Sequence, residues 1–208
     1  MLKINMKQSL LVLSLLALLV SCRSVVPTTV YYKDGTQEEG ISRLTERKKN
    51  TFTVPFKSNE TGQKQRLNAD NVEKVEFRHS VDNYFGHIGI YRFVPIEYKI
   101  KPILVREIAS GDKLSMYLNT YRRSSSYTDY SGQRYRKDEQ KEKFYVMDVN
   151  KEKAFMYLPL WHGKKMKEKF TELGVDCPVI RKEMEKELDY NSVDVIIRLI
   201  DLYSYYCN

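Results

Sequence analysis

The sequence predicts an α+β protein in which antiparallel strands fill the N-terminal and central regions and a three-helix cap closes the chain. Two observations carry this expectation. Short stretches of alternating apolar and polar side chains, separated by turns rich in Gly, Asp and Asn, occupy residues 30 to 158. After Lys164, Met166, Phe170 and Leu173 recur at intervals of four and three, the period of a helix. The strand-rich part is expected to be a small barrel or curled sheet over 30–78, followed by a second antiparallel sheet over 79–163.

Ahead of the strands, Met1 to Lys7 carries Lys3 and Lys7, and Leu10 to Val20 is apolar but shorter than the roughly 20 residues that span a bilayer. Residues 1–21 therefore read as a secretory signal peptide. Leu19-Val20-Ser21-Cys22 closes it, and this tetrapeptide resembles the lipobox of bacterial lipoproteins. The resemblance implies that Cys22 receives a diacylglycerol, that cleavage occurs just before it, and that the new amino terminus is acylated, for example by palmitate. Membrane lipid would then be the first partner of the chain, bound through Cys22. Arg23-Ser24-Val25 carries neither the aspartate that retains lipoproteins in the inner membrane nor the acidic tract that directs some Bacteroidota lipoproteins to the surface. By resemblance, the expected address is the outer membrane, facing the periplasm.

The formal charge of the 208-residue chain is +8, and it falls to +6 when Lys3 and Lys7 leave with the signal. Both signs are interspersed, so the surplus suits a face near anionic lipid or glycan and equally an ordinary solvated surface, and no nucleic acid is expected as a partner. The remaining length is ample for a domain with its own core.

Residues 22–29 read as a tether. Val30 to Tyr32, a turn at Lys33-Asp34-Gly35-Thr36 and a polar strand reaching Arg43 form a hairpin, because Asp-Gly supplies the backbone a tight turn needs. Phe52, Val54 and Phe56 alternate with polar neighbours, Asn59 to Gln63 turns, and Val72, Val75 and Phe77 complete the first group. Tyr84 to Tyr91, with two glycines, reads as strand plus linker. Pro102 to Ile108 and Leu114 to Leu118 flank a turn at Ala109 to Asp112, with Leu114, Met116 and Leu118 on one face. Phe144 to Val149 and Ala154 to Leu158 form another hairpin.

The helical cap is expected over 164–208. Met166, Phe170 and Leu173 define its first helix, with Gly174 as the C-terminal cap. Asp176 is expected to cap the second, whose inward stripe is Cys177, Ile180, Met184 and Leu188. The third, Ser192 to Tyr206, is apolar over most of its circumference and should be the most buried.

Taken together, Lys101-Pro102-Ile103-Leu104, Gly111-Asp112-Lys113-Leu114-Ser115-Met116-Tyr117 and Leu173-Gly174-Val175-Asp176-Cys177-Pro178 resemble a group of Bacteroidota lipoproteins. Gly174-Val175 stands where that group carries an aromatic before Asp-Cys-Pro. The resemblance implies the envelope address and brings no catalytic residue with it.

For chemistry, His79, His87 and His162 are scattered without a matching Cys or carboxylate register, so no metal is expected. Neither a phosphate-cradling Gly loop nor a Gly-x-Ser-x-Gly elbow occurs, so no cofactor and no serine hydrolase are expected. Cys177 has two readings: a thiolate favoured by a helix N-terminus, or a disulfide with Cys207 in an oxidising compartment.

The polar insert 121–143 interleaves Tyr121, Tyr127, Tyr130 and Tyr135 with Arg122, Arg123, Arg134 and Arg136. Tyrosine and arginine carry interfaces, yet a long polar segment also reads as a mobile hairpin tip or disordered loop. The expected function is a non-enzymatic interaction or accessory protein of the envelope, binding an envelope protein through Tyr121, Tyr127, Tyr130, Arg134, Tyr135 and Arg136. The alternative is a glycan or small-ligand binding module using exposed tyrosines and Trp161.

Overall fold

Apolar alternation draws the strands into a single sheet. A computed structural model describes residues 25–42, 51–78, 88–148 and 150–207, without the side chain of Arg122. Cys22 and the rest of the signal region, His79 and His87 lie outside these residues. The strands are β1 (Val26–Tyr32), β2 (Gln37–Ser42), β3 (Val54–Ser58), β4 (Lys64–Leu67), β5 (Val72–Phe77), β6 (Gly89–Val94), β7 (Ile103–Ser110), β8 (Leu114–Thr128), β9 (Arg134–Asp148) and β10 (Phe155–Tyr157). They lie in the order β10-β9-β8-β7-β6-β5-β1-β2-β3-β4, each antiparallel to its neighbours.

The expected second sheet is thus a continuation of the first, since β5 pairs with β6 at Val75↔Tyr91 and Phe77↔Gly89. The tether also ends earlier than expected. Val26 to Thr29 already belong to β1, where Val26, Thr28 and Thr29 are buried and pair with β2.

The sheet curls without closing into a barrel. Around its N-terminal half, Val30, Val54, Phe56, Leu67, Val75 and Phe77 fill one concave face together with Leu104 of β7. The Leu104 N–H donates to the Thr51 carbonyl at 2.7 Å, one bond across the open side. Gly40 is needed inside this curl, because a methyl there would overlap the Lys57 carbonyl and the Phe56 ring. The C-terminal half curls over Ile103, Val105, Tyr117 and Tyr145, and an isolated bridge joins Ile96 to Ala154.

Helices cover the other face of β7 to β10. They are α1 (Pro159–Gly174), α2 (Pro178–Met184) and α3 (Val193–Tyr206). Met166 and Phe170 of α1, Ile180 of α2 and Ile196, Leu199 and Ile200 of α3 meet Met116, Val146 and Tyr157 of the sheet, all at most 1% exposed. A fully buried side chain of this size contributes about 1.5–3 kcal/mol relative to exposure.

Several expected boundaries shift for local reasons. α1 starts at Pro159 rather than near Lys164, because proline fits the first helical turn. Gly174 stays inside the helix and the residue beyond it, Val175, keeps right-handed backbone, so no left-handed glycine cap forms. Cys177, not Asp176, occupies the N-cap of α2, and the helix stops at Met184 before Leu188. Ala109 and Ser110 belong to β7 rather than to the turn. α3 buries one stripe, Ile196, Leu199, Ile200 and Tyr203, and turns Tyr205 and Tyr206 to solvent.

Candidate functional site

The segment expected as a polar insert is regular structure. β8 and β9 pair without interruption from Leu114↔Asp148 to Thr128↔Arg134. β7 leaves β8 at Leu118 and β10 leaves β9 at Phe144, so among the described residues the ten pairs from Asn119↔Lys143 outward have no third strand beside them. At about 3.4 Å per residue this two-stranded ribbon extends roughly 34 Å. Its base is shielded, with Asn119 and Tyr121 buried, while Arg123 to Thr128 and Arg134 to Asp138 are exposed.

The tip is fixed by one aspartate. Asp129 donates its N–H to the Gln133 carbonyl at 3.0 Å and accepts the Gly132 N–H at 3.0 Å. Its Oδ1 also accepts from the Ser131 N–H, the Ser131 hydroxyl and the Gln133 N–H, at 2.9, 2.6 and 3.0 Å. The Ser131 hydroxyl first, then these backbone donors, hold the Asp129 carboxyl below the usual range. Gly132 takes φ +83°, a left-handed conformation that glycine adopts without cost. Tyr130 stands at the summit of this turn, fully exposed.

Register sorts the remaining side chains onto two faces, because directly paired residues share a face. One carries Tyr121, Arg123, Ser125 and Tyr127 opposite Lys141, Glu139, Lys137 and Tyr135. Tyr127 and Tyr135 stack with ring centroids 5.4 Å apart and an interplanar angle of 19°. Glu139 lies between Lys137 at 2.7 Å and Lys141 at 2.6 Å, which hold its carboxyl down to about 2.

The opposite face presents Ser124, Ser126 and Thr128 against Asp138, Arg136 and Arg134. Arg136 is fastened there, its Nη2 3.2 Å from the Ser124 hydroxyl and its Nε 3.3 Å from Asp138 Oδ1. Arg123 and Arg134 form no ion pair among the described residues, so their guanidinium groups are available to another molecule.

The six residues expected to bind a partner are therefore brought into one ribbon but not onto one surface. Tyr127 and Tyr135 share a face, Arg134 and Arg136 occupy the other, Tyr130 crowns the tip, and Tyr121 is buried at the base with the Lys143 ammonium 6.0 Å from its ring. The Asp129 and Gly132 spacing was the sequence signal for this turn.

Elsewhere, Cys177 and Cys207 form a disulfide with Cα atoms 5.6 Å apart, joining the start of α2 to the end of α3. The bonded sulfur of Cys177 is fully buried, which sets aside its reading as a nucleophile. His162 serves α1: its Nδ1 accepts the Leu158 N–H at 2.9 Å and its ring meets Phe155 edge-on at 5.6 Å. Burial, then the Lys165 ammonium, push the imidazole below its ordinary pKa against the opposing pull of Glu97. Trp161, one residue earlier, is 81% exposed. Among the described residues no group of three or more His, Cys, Asp or Glu is placed to hold a metal. No family model, curated protein or solved structure matches this chain.

Proposed function

We propose that this is an envelope lipoprotein, anchored through Cys22 in the outer membrane and facing the periplasm, whose β8–β9 ribbon is a non-enzymatic docking element for another envelope protein. The observation that carries the reading is the ribbon's tip: an exposed tyrosine stack, a fully exposed Tyr130 and an Arg134 guanidinium with no ion pair among the described residues, all on a continuously paired two-stranded arm. Such side chains dominate binding energy where interfaces are mapped by truncation. Holding them on paired strands lowers the ordering entropy that a flexible loop would lose on binding.

Among the described residues the ribbon also has two edges without strand partners beyond its base. Charged side chains line them, Lys137, Glu139 and Lys141 along β9 among others, and such residues oppose edge-to-edge strand addition. The partner is therefore engaged by side chains at the tip rather than by extending the sheet.

The test is crosslinking in the native organism followed by recovery of the lipidated protein and mass spectrometry. One abundant envelope protein should accompany the wild-type chain and be lost when Tyr127, Tyr130 and Arg134 are changed to Ala. Unchanged recovery of that protein by the triple variant contradicts the reading.

A second reading is a glycan-binding module. It is favoured by Trp161 and by Tyr98, which is 98% exposed and held at φ +63°, an unusual backbone conformation for a bulky residue. Both present flat rings to solvent on which sugars can stack. Retention of cell-wall or capsular polysaccharide, lost with Trp161→Ala, would select this reading over protein docking.

A further inference from the structure

The outer surface of the sheet where the chain enters β1 carries a groove of about 590 Å³ that the ribbon does not use. Val25, Ile41 and Pro55 supply its apolar part, and Lys57, Lys64 and Arg66 its polar rim. Strand register explains the grouping. Ile41 pairs with Lys57, Lys57 with Lys64, and Pro55 with Arg66, so these side chains stand in adjacent rows on one face of β2, β3 and β4. Among the described residues, no acidic side chain lines the groove. The nearest acid on that face of β2, Glu39, is occupied by Arg78 at 2.9 Å. Lys57, Lys64 and Arg66 form no ion pair among the described residues and are exposed.

We infer that this groove rests on the bilayer and receives the phosphate headgroups of anionic lipids. The inference depends on anchoring at Cys22 and extends it. Only Arg23 and Ser24 separate Cys22 from Val25, so covalent geometry keeps Val25 within about 11 Å of the lipidated residue. A surface that close to an acyl anchor meets headgroups before it meets any other molecule. Three cations attract them, and Val25, Ile41 and Pro55 fill the apolar boundary just beneath.

Charge and address then divide the labour of the fold. β8 runs in the same sense as β1, four strand steps away. The ribbon therefore lies at the end of β8 that corresponds to Tyr32 of β1 and not to Val26, the strand end next to the anchor. The basic groove holds the body on the membrane while the tip stays in the aqueous phase.

The experiment uses the lipidated full chain in vesicles of phosphatidylethanolamine alone or with 30% phosphatidylglycerol by choice. A spin label is placed at Ile41→Cys, at Val25→Cys as a second groove site, or at Tyr130→Cys at the tip. On phosphatidylglycerol vesicles both groove labels should become shielded from a water-soluble relaxant, and the tip label should stay accessible. Changing Lys57, Lys64 and Arg66 together to Glu should return the groove labels to water. Each single neutralisation should weaken the shielded population about fivefold. A chain that floats with both vesicles while its groove labels stay wet overturns the groove assignment alone and leaves the cations to an acidic protein partner. A chain that floats with neither overturns anchoring at Cys22, and the groove assignment with it.

Discussion

Tyr127 and Tyr135 face each other across the ribbon, 5.4 Å between ring centroids, in the pair next to the last before the turn. The stack locks the outer end of an arm that has no third strand beside it among the described residues. A cross-strand aromatic pair contributes about 0.5–1 kcal/mol. Tyr135→Ala should therefore accelerate amide exchange at the tip several-fold while leaving the thermal midpoint of the body unchanged. Exchange at residues 124–138 that matches the wild type would show that the stack orders nothing.

The disulfide closes a segment with a sequence separation of 30, and in the chain-entropy model such a crosslink contributes about 3–4 kcal/mol. The double variant Cys177→Ala, Cys207→Ala should lose about that much in urea unfolding. Thiol titration of denatured protein prepared without reductant should find neither cysteine free. Two free thiols would contradict the bond.

Gly40 lies beneath the Phe56 ring in the N-terminal curl, with no room for a methyl. Gly40→Ala should destabilise the protein by about 1–3 kcal/mol through overpacking. A midpoint of denaturation equal to that of the wild type would show that the neighbouring strands move apart without cost.

His162 links stability to pH in a definite direction. Its folded pKa is lowered, chiefly by burial, and Nδ1 must stay unprotonated to accept the Leu158 N–H. The unfolded state therefore binds the proton more readily. The contribution is complete above the unfolded value of about 6.5 and is lost as pH falls through the lower folded value. Urea midpoints should decline between pH 7.5 and pH 5 in the wild type, and less steeply in His162→Ala. Equal slopes in the two proteins would dissociate His162 from the acid sensitivity.

These elements differ in how much of themselves they display in sequence. Val54 and Phe56 alternate because one face of β3 is buried, and that period reveals the strand. Residues 123–128 bury neither face, so the same backbone conformation leaves no hydrophobic period to read. The ribbon's order comes from continuous pairing and from the Asp129 and Gly132 turn, whose spacing was visible but short. The start of α1 was hidden because Leu160 and Trp161 face solvent, so the inward stripe begins only at Gly163 and Met166. Whether two groups of strands join depends on pairing such as Val75 with Tyr91, which no local pattern encodes. For the candidate site, composition selected Tyr127, Tyr130, Arg134 and Tyr135, but only register shows that the tyrosine stack and Arg134 lie on opposite faces.

Docking through the ribbon is tested most directly by a photo-crosslinking amino acid at position 130 of the lipidated chain in living cells, with position 98 as the comparison. A discrete adduct with one envelope protein from position 130, absent from position 98 and abolished by Arg134→Ala, is the predicted result. An adduct from position 98 with none from position 130 would contradict it and place the interaction surface at the other exposed aromatic.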